Sequence, residues 1–241
     1  MEELSGRIAL ITGASGGIGR AIARRLAGLG MSLALCGRDE ERLRATAAQT
    51  ERAGDMLVIP GDLSDEAHLR DCIERTCARF GGLDALINCA GQALNRPFSE
   101  TTAEEFDRLM QINVRTPFLL CRMALPVLRR SDRATIVNIG SVVSHNGYAL
   151  QAAYTASKHA LLGMTKALAK EVWREGIRVH MVSPGGVDTP MIRQARPDLE
   201  DEGMIQPDEV ADAVAYLVSR RGNAVIDEIR LHRAGKEPYL S

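Results

Sequence analysis

The stretch Arg7-Ile8-Ala9-Leu10-Ile11-Thr12-Gly13-Ala14-Ser15-Gly16-Gly17-Ile18-Gly19-Arg20-Ala21-Ile22-Ala23 decides the fold. An apolar run of strand length ends at Thr12, glycines follow at 13, 16, 17 and 19, and a helical period starts at once. Glycines at such a turn let the backbone bend tightly and approach a pyrophosphate, whose charge is met by the amides of the following helix N-terminus. A glycine-rich turn alone says little. With a strand before it, a helix after it and a second strand at Ser32 to Cys36, it reads as the first βαβ unit of a dinucleotide-binding sheet.

The same alternation continues outward. Strand-length apolar runs fall near Arg7 to Thr12, Ser32 to Cys36, Met56 to Pro60, Ala85 to Asn88, Ala134 to Gly140, Ile177 to Ser183 and Ala224 to Leu231. Helical patterns begin near Gly17, Asp39, Asp65, Thr102, Ala152 and Asp208, with Asp39, Ser64 and Thr102 as caps. The expected architecture is α/β of the Rossmann type: a doubly wound, mainly seven-stranded parallel sheet with helices on both faces, one domain over residues 1–241. Arg193 to Gln206 breaks the pattern with Pro197 and the acidic Asp198-Leu199-Glu200-Asp201-Glu202, and reads as a solvated loop or a lid over a site.

Composition narrows the classes. With 30 Lys and Arg against 31 Asp and Glu, the net charge of −1 gives no field for nucleic acid or an anionic membrane. Five cysteines without zinc-type spacing read as free thiols in a reducing compartment, so a cytoplasmic location is expected and no metal. No apolar stretch reaches membrane-spanning length, and the short acidic start leaves no room for a signal peptide. Cys36 and Cys89 read as small core residues.

Two further patterns carry chemistry. Tyr154 and Lys158 stand at i and i+4, on one face of a helix, where an ammonium beside a phenol would lower its proton affinity and make Tyr154 a general acid/base. At the end of the second strand, Gly37 and Arg38 stand where an NAD enzyme usually presents a carboxylate. An arginine there suits the 2′-phosphate of NADP(H), with the Ser15 hydroxyl as helper and NAD(H) as the alternative. Histidines 145, 159 and 180 compete for acid/base work. His145 reads as a solvent-facing loop residue and His180 as structural.

Taken together these residues resemble the short-chain dehydrogenases/reductases, in their compact single-domain branch, over nearly the whole length from Gly6 to about Leu231. The resemblance rests on the Thr12-Gly13-x-x-x-Gly17-x-Gly19 loop, Asp62-Leu63, Asn88-Cys89-Ala90-Gly91, Asn113, Ser141, Tyr154 with Lys158, and Pro184-Gly185. It implies that Gly13, Gly17, Ile18 and Gly19 hold the nucleotide and that Asp62 and Leu63 contact the adenine. It further implies that Asn88, Ala90 and Gly91 support the riboses and the sheet, and that Pro184, Gly185, Val187 and Thr189 hold the nicotinamide end. In the mechanism it implies, Tyr154 protonates a substrate oxygen and Ser141 donates a hydrogen bond to it. Lys158 poises the phenol and binds a ribose, and Asn113 holds a relay water.

The substrate class is a carbonyl or secondary alcohol with an apolar body, judged from Leu94, Val142, Val143, Tyr148, Met191 and Ile192, with Ser141, Val143, Gln151 and Tyr154 facing it. Two alternatives stand beside this. Gln151 matches 3-oxoacyl-[acyl-carrier-protein] reductases, although the positions that are basic in those enzymes fall on Asp132 and Glu175 here. A non-catalytic NADP sensor would have no need of Asn113, Ser141, Tyr154 and Lys158 together. The family's glycine pair after the last strand is missing from Asp227-Glu228-Ile229-Arg230-Leu231-His232-Arg233, and a homo-oligomer, dimer or tetramer, is expected through the helices after Thr102 and Ala152.

Overall fold

The strands follow from the apolar runs. A computed structural model describes residues 4–50, 56–196 and 203–236. In it β1 (Ile8–Thr12), β2 (Ser32–Gly37), β3 (Met56–Pro60), β4 (Ala85–Asn88), β5 (Thr135–Ile139), β6 (Arg178–Pro184) and β7 (Glu228–Leu231) form one sheet in the order β3-β2-β1-β4-β5-β6-β7. Every pairing is parallel. A parallel sheet buries both faces, which is why its strands read as unbroken apolar runs. Period two still sorts the side chains: Ala9, Ile11, Leu33, Leu35 and Ile87 pack under α1 (Gly17–Gly28) and α8 (Pro207–Ser219). Leu10, Ala34, Cys36, Leu86 and Ile136 pack on the other face, against α3 (Glu66–Phe80) and α5 (Thr116–Leu128). Met181 of β6 meets Leu161 and Leu162 of α6 (Ala152–Val172).

Local signals set most helix starts. Asp39 caps α2 (Glu40–Ala48) by accepting from the Arg42 amide, and Thr102 with Glu105 forms a capping box on α4 (Ala103–Met110). The cap of α3 is Asp65, which accepts from the Ala67 amide at 2.9 Å, and not Ser64 as expected. A side chain one position nearer the first turn reaches its free amides better. Beyond Met110 the helix widens into a π-helical turn, Gln111–Arg115, before α5 resumes.

The last strand is shorter than the expected Ala224 to Leu231. Only Glu228–Leu231 pairs with β6, while Val225 and Ile226 are exposed. Both ends of β7 are pinned to β6, by the Met181 amide donating to Asp227 O and by the Gly185 amide donating to Leu231 O. The irregular stretch after β6 also holds a helix, α7 (Pro190–Ala195), capped by Thr189. Residues 197–202 of the expected lid lie outside the described residues.

Candidate active site

β1 lies between β2 and β4, so the connections leaving β1 and β4 diverge and open a crevice at the carboxyl ends of the strands. Thr12 ties its floor together: its hydroxyl oxygen accepts from the Cys89 and Ala90 amides, each at 3.1 Å. Gly13 has φ +70°, and a Cβ there would lie 2.9 Å from Ala90 Cα. A Cβ on Gly19 would fall 2.2 Å from the Gly13 carbonyl oxygen. Two loops and a helix thus approach as closely as backbone allows. Helix α1 opens on Gly16 with no side-chain cap and no acidic residue in its first turn, which leaves its first amides to an anion. This cradle fits a dinucleotide pyrophosphate.

Arg38 is exposed at the end of β2, and Gly37 beside it faces the Ser15 hydroxyl. A second cation is present that the sequence reading missed. The Arg42 guanidinium reaches to 2.6 Å from where a Gly16 Cβ would stand, directly over the glycine loop. Its signal was there to see, four residues after Arg38 in the first turn of α2. Hydrogen bonds from Ser64, then the charge of Arg38, hold the Asp62 carboxyl below its ordinary range. Leu63 is buried in the core, with its carbonyl accepting from the Thr116 hydroxyl at 2.8 Å.

At the other end of the crevice, Ser141 stands two residues beyond β5 and caps a short 3-10 turn, Val142–Ser144. Helix α6 presents Tyr154 half-buried and Lys158 buried. The Lys158 ammonium donates to the Ile139 carbonyl at 2.9 Å and lies 5.9 Å from the centre of the Tyr154 ring. Burial pulls it down to about 8, against the opposing charge of Cys89. Tyr154 departs from expectation: burial raises its phenol, a hydrogen bond with Ser141 works against that, and Lys158 is not among the groups that lower it. A lysine that points at a carbonyl and touches the ring face stabilises the phenolate less than one aimed at the oxygen.

Asn113 sits in the π turn, fully buried. Its Oδ1 accepts from the Gln92 amide at 2.8 Å, and its Nδ2 donates to Gln92 O at 2.9 Å and Ser157 Oγ at 3.0 Å. It braces the loop after β4 against α6, and Gly91 fits beside it because a Cβ would lie 3.1 Å from Asn113 Oδ1.

A cavity of about 430 Å³ brings Ser141, Val143, Gln151 and Tyr154 together with Ile18, Pro184, Gly185, Val187 and Thr189. Leu94, Val142, Tyr148, Met191 and Ile192 supply its apolar wall. Just before Gln151, Leu150 adopts φ +66°, the described residues' only positive φ outside glycine, and its carbonyl accepts from the Arg96 amide at 2.7 Å. Asn88 is not brought to this cavity. Its Nδ2 donates to Asn138 Oδ1 at 2.8 Å, and Asn138 donates to Thr165 at 2.8 Å, a buried polar ladder between β4, β5 and α6. Asn88 therefore braces the sheet through its side chain.

Two sequence readings change here and a third holds. His145 is not solvent-facing: its Nε2 lies 2.7 Å from Glu228 Oε1, and Arg230 lies 3.0 Å from its Nδ1. His180 is structural as expected, buried and bonded through Nδ1 to the Ile226 carbonyl at 2.7 Å. Cys89 is half-buried beside the crevice, its thiol pushed up to about 12 by burial. Four basic residues at the cavity mouth, Arg196, His232, Arg233 and Lys236, were not anticipated. All five cysteines are free, and no cluster of potential metal ligands occurs among the described residues. No described helix is long and apolar enough to cross a membrane.

A doubly wound parallel sheet with a glycine cradle at its switch point defines the class, a Rossmann-type dinucleotide-binding protein. The chain belongs to the short-chain dehydrogenase family of oxidoreductases, whose family description matches residues 7–200. It is 36% identical over 234 residues to the L-fucose dehydrogenase of Mus musculus, covering 91% of this chain and 84% of that protein. It is 34% identical to the levodione reductase of Leifsonia aquatica, covering 88% and 87%. Among solved structures, a metagenomic short-chain oxidoreductase in complex with NADP superposes with a TM-score of 0.84 at 35% identity, covering 96% of this chain and 99% of that one.

Proposed function

We propose that this chain is an NADP(H)-dependent oxidoreductase that interconverts a carbonyl and a secondary alcohol, with Tyr154 as general acid/base and Ser141, Lys158 and Asn113 as its partners. The observation that carries the reading is the single cavity shared by Ser141, Tyr154, Ile18, Pro184, Gly185, Val187 and Thr189. When bound, the nicotinamide supplies or accepts hydride, and the protein's share is geometry and proton control. Reduction builds negative charge on the substrate oxygen. Ser141 donates a hydrogen bond to that oxygen, and Tyr154 gives it a proton. Burial favours the protonated phenol, which suits Tyr154 as an acid in that direction. Lys158 holds a ribose and adds positive charge behind the ring, and Asn113 keeps the loop after β4 at a fixed distance from α6.

On the nucleotide side, the α1 amides with Gly13, Gly17, Ile18 and Gly19 hold the pyrophosphate, Ala90 and Gly91 flank the riboses, and Asp62 with the Leu63 backbone borders the adenine. Arg38, Ser15 and the overlying Arg42 favour NADP over NAD, a preference supported by the NADP complex of the similar metagenomic enzyme. The acyl-carrier-protein reading gains no support, since Asp132 is paired with Arg7 and Glu175 with Arg129 on the surface. The working unit is one domain, its free thiols suit a reducing cytoplasm, and it assembles as a homo-oligomer through the α4–α5 face. The test is NADPH absorbance over a panel of carbonyls and alcohols, run in both directions. Tyr154→Phe is expected to lower turnover by about 10²- to 10⁴-fold while NADPH still binds. Near-normal turnover in that variant overturns the mechanism. Tight NADPH binding with no substrate in the panel would instead point to a sensor.

A further inference from the structure

The cavity is apolar within and cationic at its mouth, and nothing in the proposed chemistry requires the cations. Its described lining contains no aspartate or glutamate, yet it includes His232, Arg233 and Lys236, all from the segment that follows β7 in place of the family's glycine pair. This segment is held at the cavity. The Gly185 amide donates to Leu231 O at 2.7 Å, and the Lys236 amide donates to Arg233 O at 2.9 Å, closing a turn that presents both cations. The Arg233 stem crosses Gly186, where a built Cβ would lie 3.8 Å from Arg233 Cδ.

Among the described residues, the carboxylates nearest in the chain are engaged elsewhere. Asp188 pairs with Arg193 at 2.7 Å, and Glu228 with His145 and Arg230. Arg233 reaches only the Met204 thioether at 3.6 Å, a weak acceptor, and neither it nor Lys236 forms an ion pair among the described residues. Arg233 and Lys236 line the same apolar cavity with no carboxylate partner among the described residues, so an anion brought to it would meet two positive charges.

We infer that the substrate is a carbonyl or hydroxy compound whose apolar body ends in an anionic group, a carboxylate above all, which Arg233 and Lys236 hold at the mouth while the carbonyl reaches Ser141 and Tyr154. The inference rests on the oxidoreductase reading and deepens it. A phosphate of a coenzyme A thioester would present the same negative charge, so the experiment separates the two sources.

The probes are methyl-ketone carboxylic acids of increasing chain length beside their methyl esters, and acetoacetyl-CoA beside its N-acetylcysteamine thioester. The acid is expected to exceed its ester in kcat/KM by roughly tenfold at one chain length, as suits two charge-assisted contacts at a partly exposed site. That ratio falls toward one in Arg233→Gln/Lys236→Gln, and also for the unaltered protein in about 1 M salt, where the screening length is about 3 Å. Calorimetric binding of the acid to the NADP complex of Tyr154→Phe, weakened by the same pair of substitutions, gives a readout free of turnover. Preference for acetoacetyl-CoA over its short thioester, with no preference among the ketones, overturns the carboxylate in favour of the phosphate. Equal efficiency for every acid and ester overturns the inference while leaving the oxidoreductase reading intact. Loss of NADPH affinity in the double variant, in place of lost acid preference, assigns the cations to the cofactor and also overturns it. No turnover of any probe by the unaltered protein, with no binding of the acids, overturns both.

Discussion

Under the proposed mechanism, the burial of Lys158 has a consequence for rate. Its ammonium has an ordinary pKa of 10.5, and burial brings it to about 8. Below that pH the charge behind Tyr154 is present, and above it the amine is neutral. Reductive kcat/KM is therefore expected to fall as pH rises through about 8, measured as a pH profile with saturating NADPH. A profile flat up to the ordinary lysine range would show that the charge of Lys158 is not used. The choice of nucleotide also belongs to this scale. In the proposed NADP complex Arg38→Asp would set a carboxylate against the 2′-phosphate, and removing a charge-assisted contact while adding a repulsive one is expected to weaken NADPH binding by roughly 10²-fold and favour NADH. Unchanged NADPH affinity by fluorescence titration would remove Arg38 from that role and leave it to Arg42.

Among the elements, β7 was the hardest to read. Val225 and Ile226 continue the apolar run before Glu228, but the ladder with β6 runs only from Met181 with Glu228 to Pro184 with Leu231, and both side chains stay exposed. Glu228 then does what no residue pattern announces, joining β7 to β6 and to the turn after β5. Burial alone would raise its carboxyl, but the Ser183 hydroxyl at 2.6 Å, His145 and Arg230 outweigh that and hold it below its ordinary value of 4.5. A carboxyl lowered by folding contributes stability that is present above its ordinary range and lost as pH falls through the folded value. Glu228→Gln keeps the shape and removes the charge. It is expected to cost about 1–2 kcal/mol in chemical unfolding at neutral pH, with the gap to the unaltered protein closing in acid. A gap independent of pH would show that the clamp does not act through charge. The π turn at Gln111–Arg115 was likewise invisible: the resemblance singles out Asn113, but nothing local announces the widened turn or the bonds its amide makes to Gln92 and Ser157.

For the whole molecule, the open question is what covers α4 and α5. Phe106 and Phe118 are exposed at 40% and 51%, and a groove beside them is lined by Met110, Val114, Leu125 and Met164, with Arg115 and Arg122 near Asp107 and Glu171. Charges of both signs around an apolar centre make such a face self-complementary, as a twofold contact between copies of this chain requires. Sedimentation is expected to give a dimer or tetramer, and Phe118→Glu a smaller species. A monomer at micromolar concentration would end that expectation.

By itself the sequence determined the sheet and its glycine cradle, because a buried parallel strand needs an unbroken apolar run and a tight strand-to-helix turn needs glycine. It also named Tyr154 and Lys158, whose spacing is a local fact, and Ser141 through the family resemblance. Only the tertiary structure decided which side chains share a cavity. The Asn88 side chain joined a buried ladder, the Leu63 side chain went to the core, Arg42 came to lie over Gly16, and Arg233 came to lie over Gly186. Contacts between residues far apart in the chain depend on how helices and edge strands pack, and burial, not spacing, moved Tyr154 and Lys158 from their ordinary proton affinities.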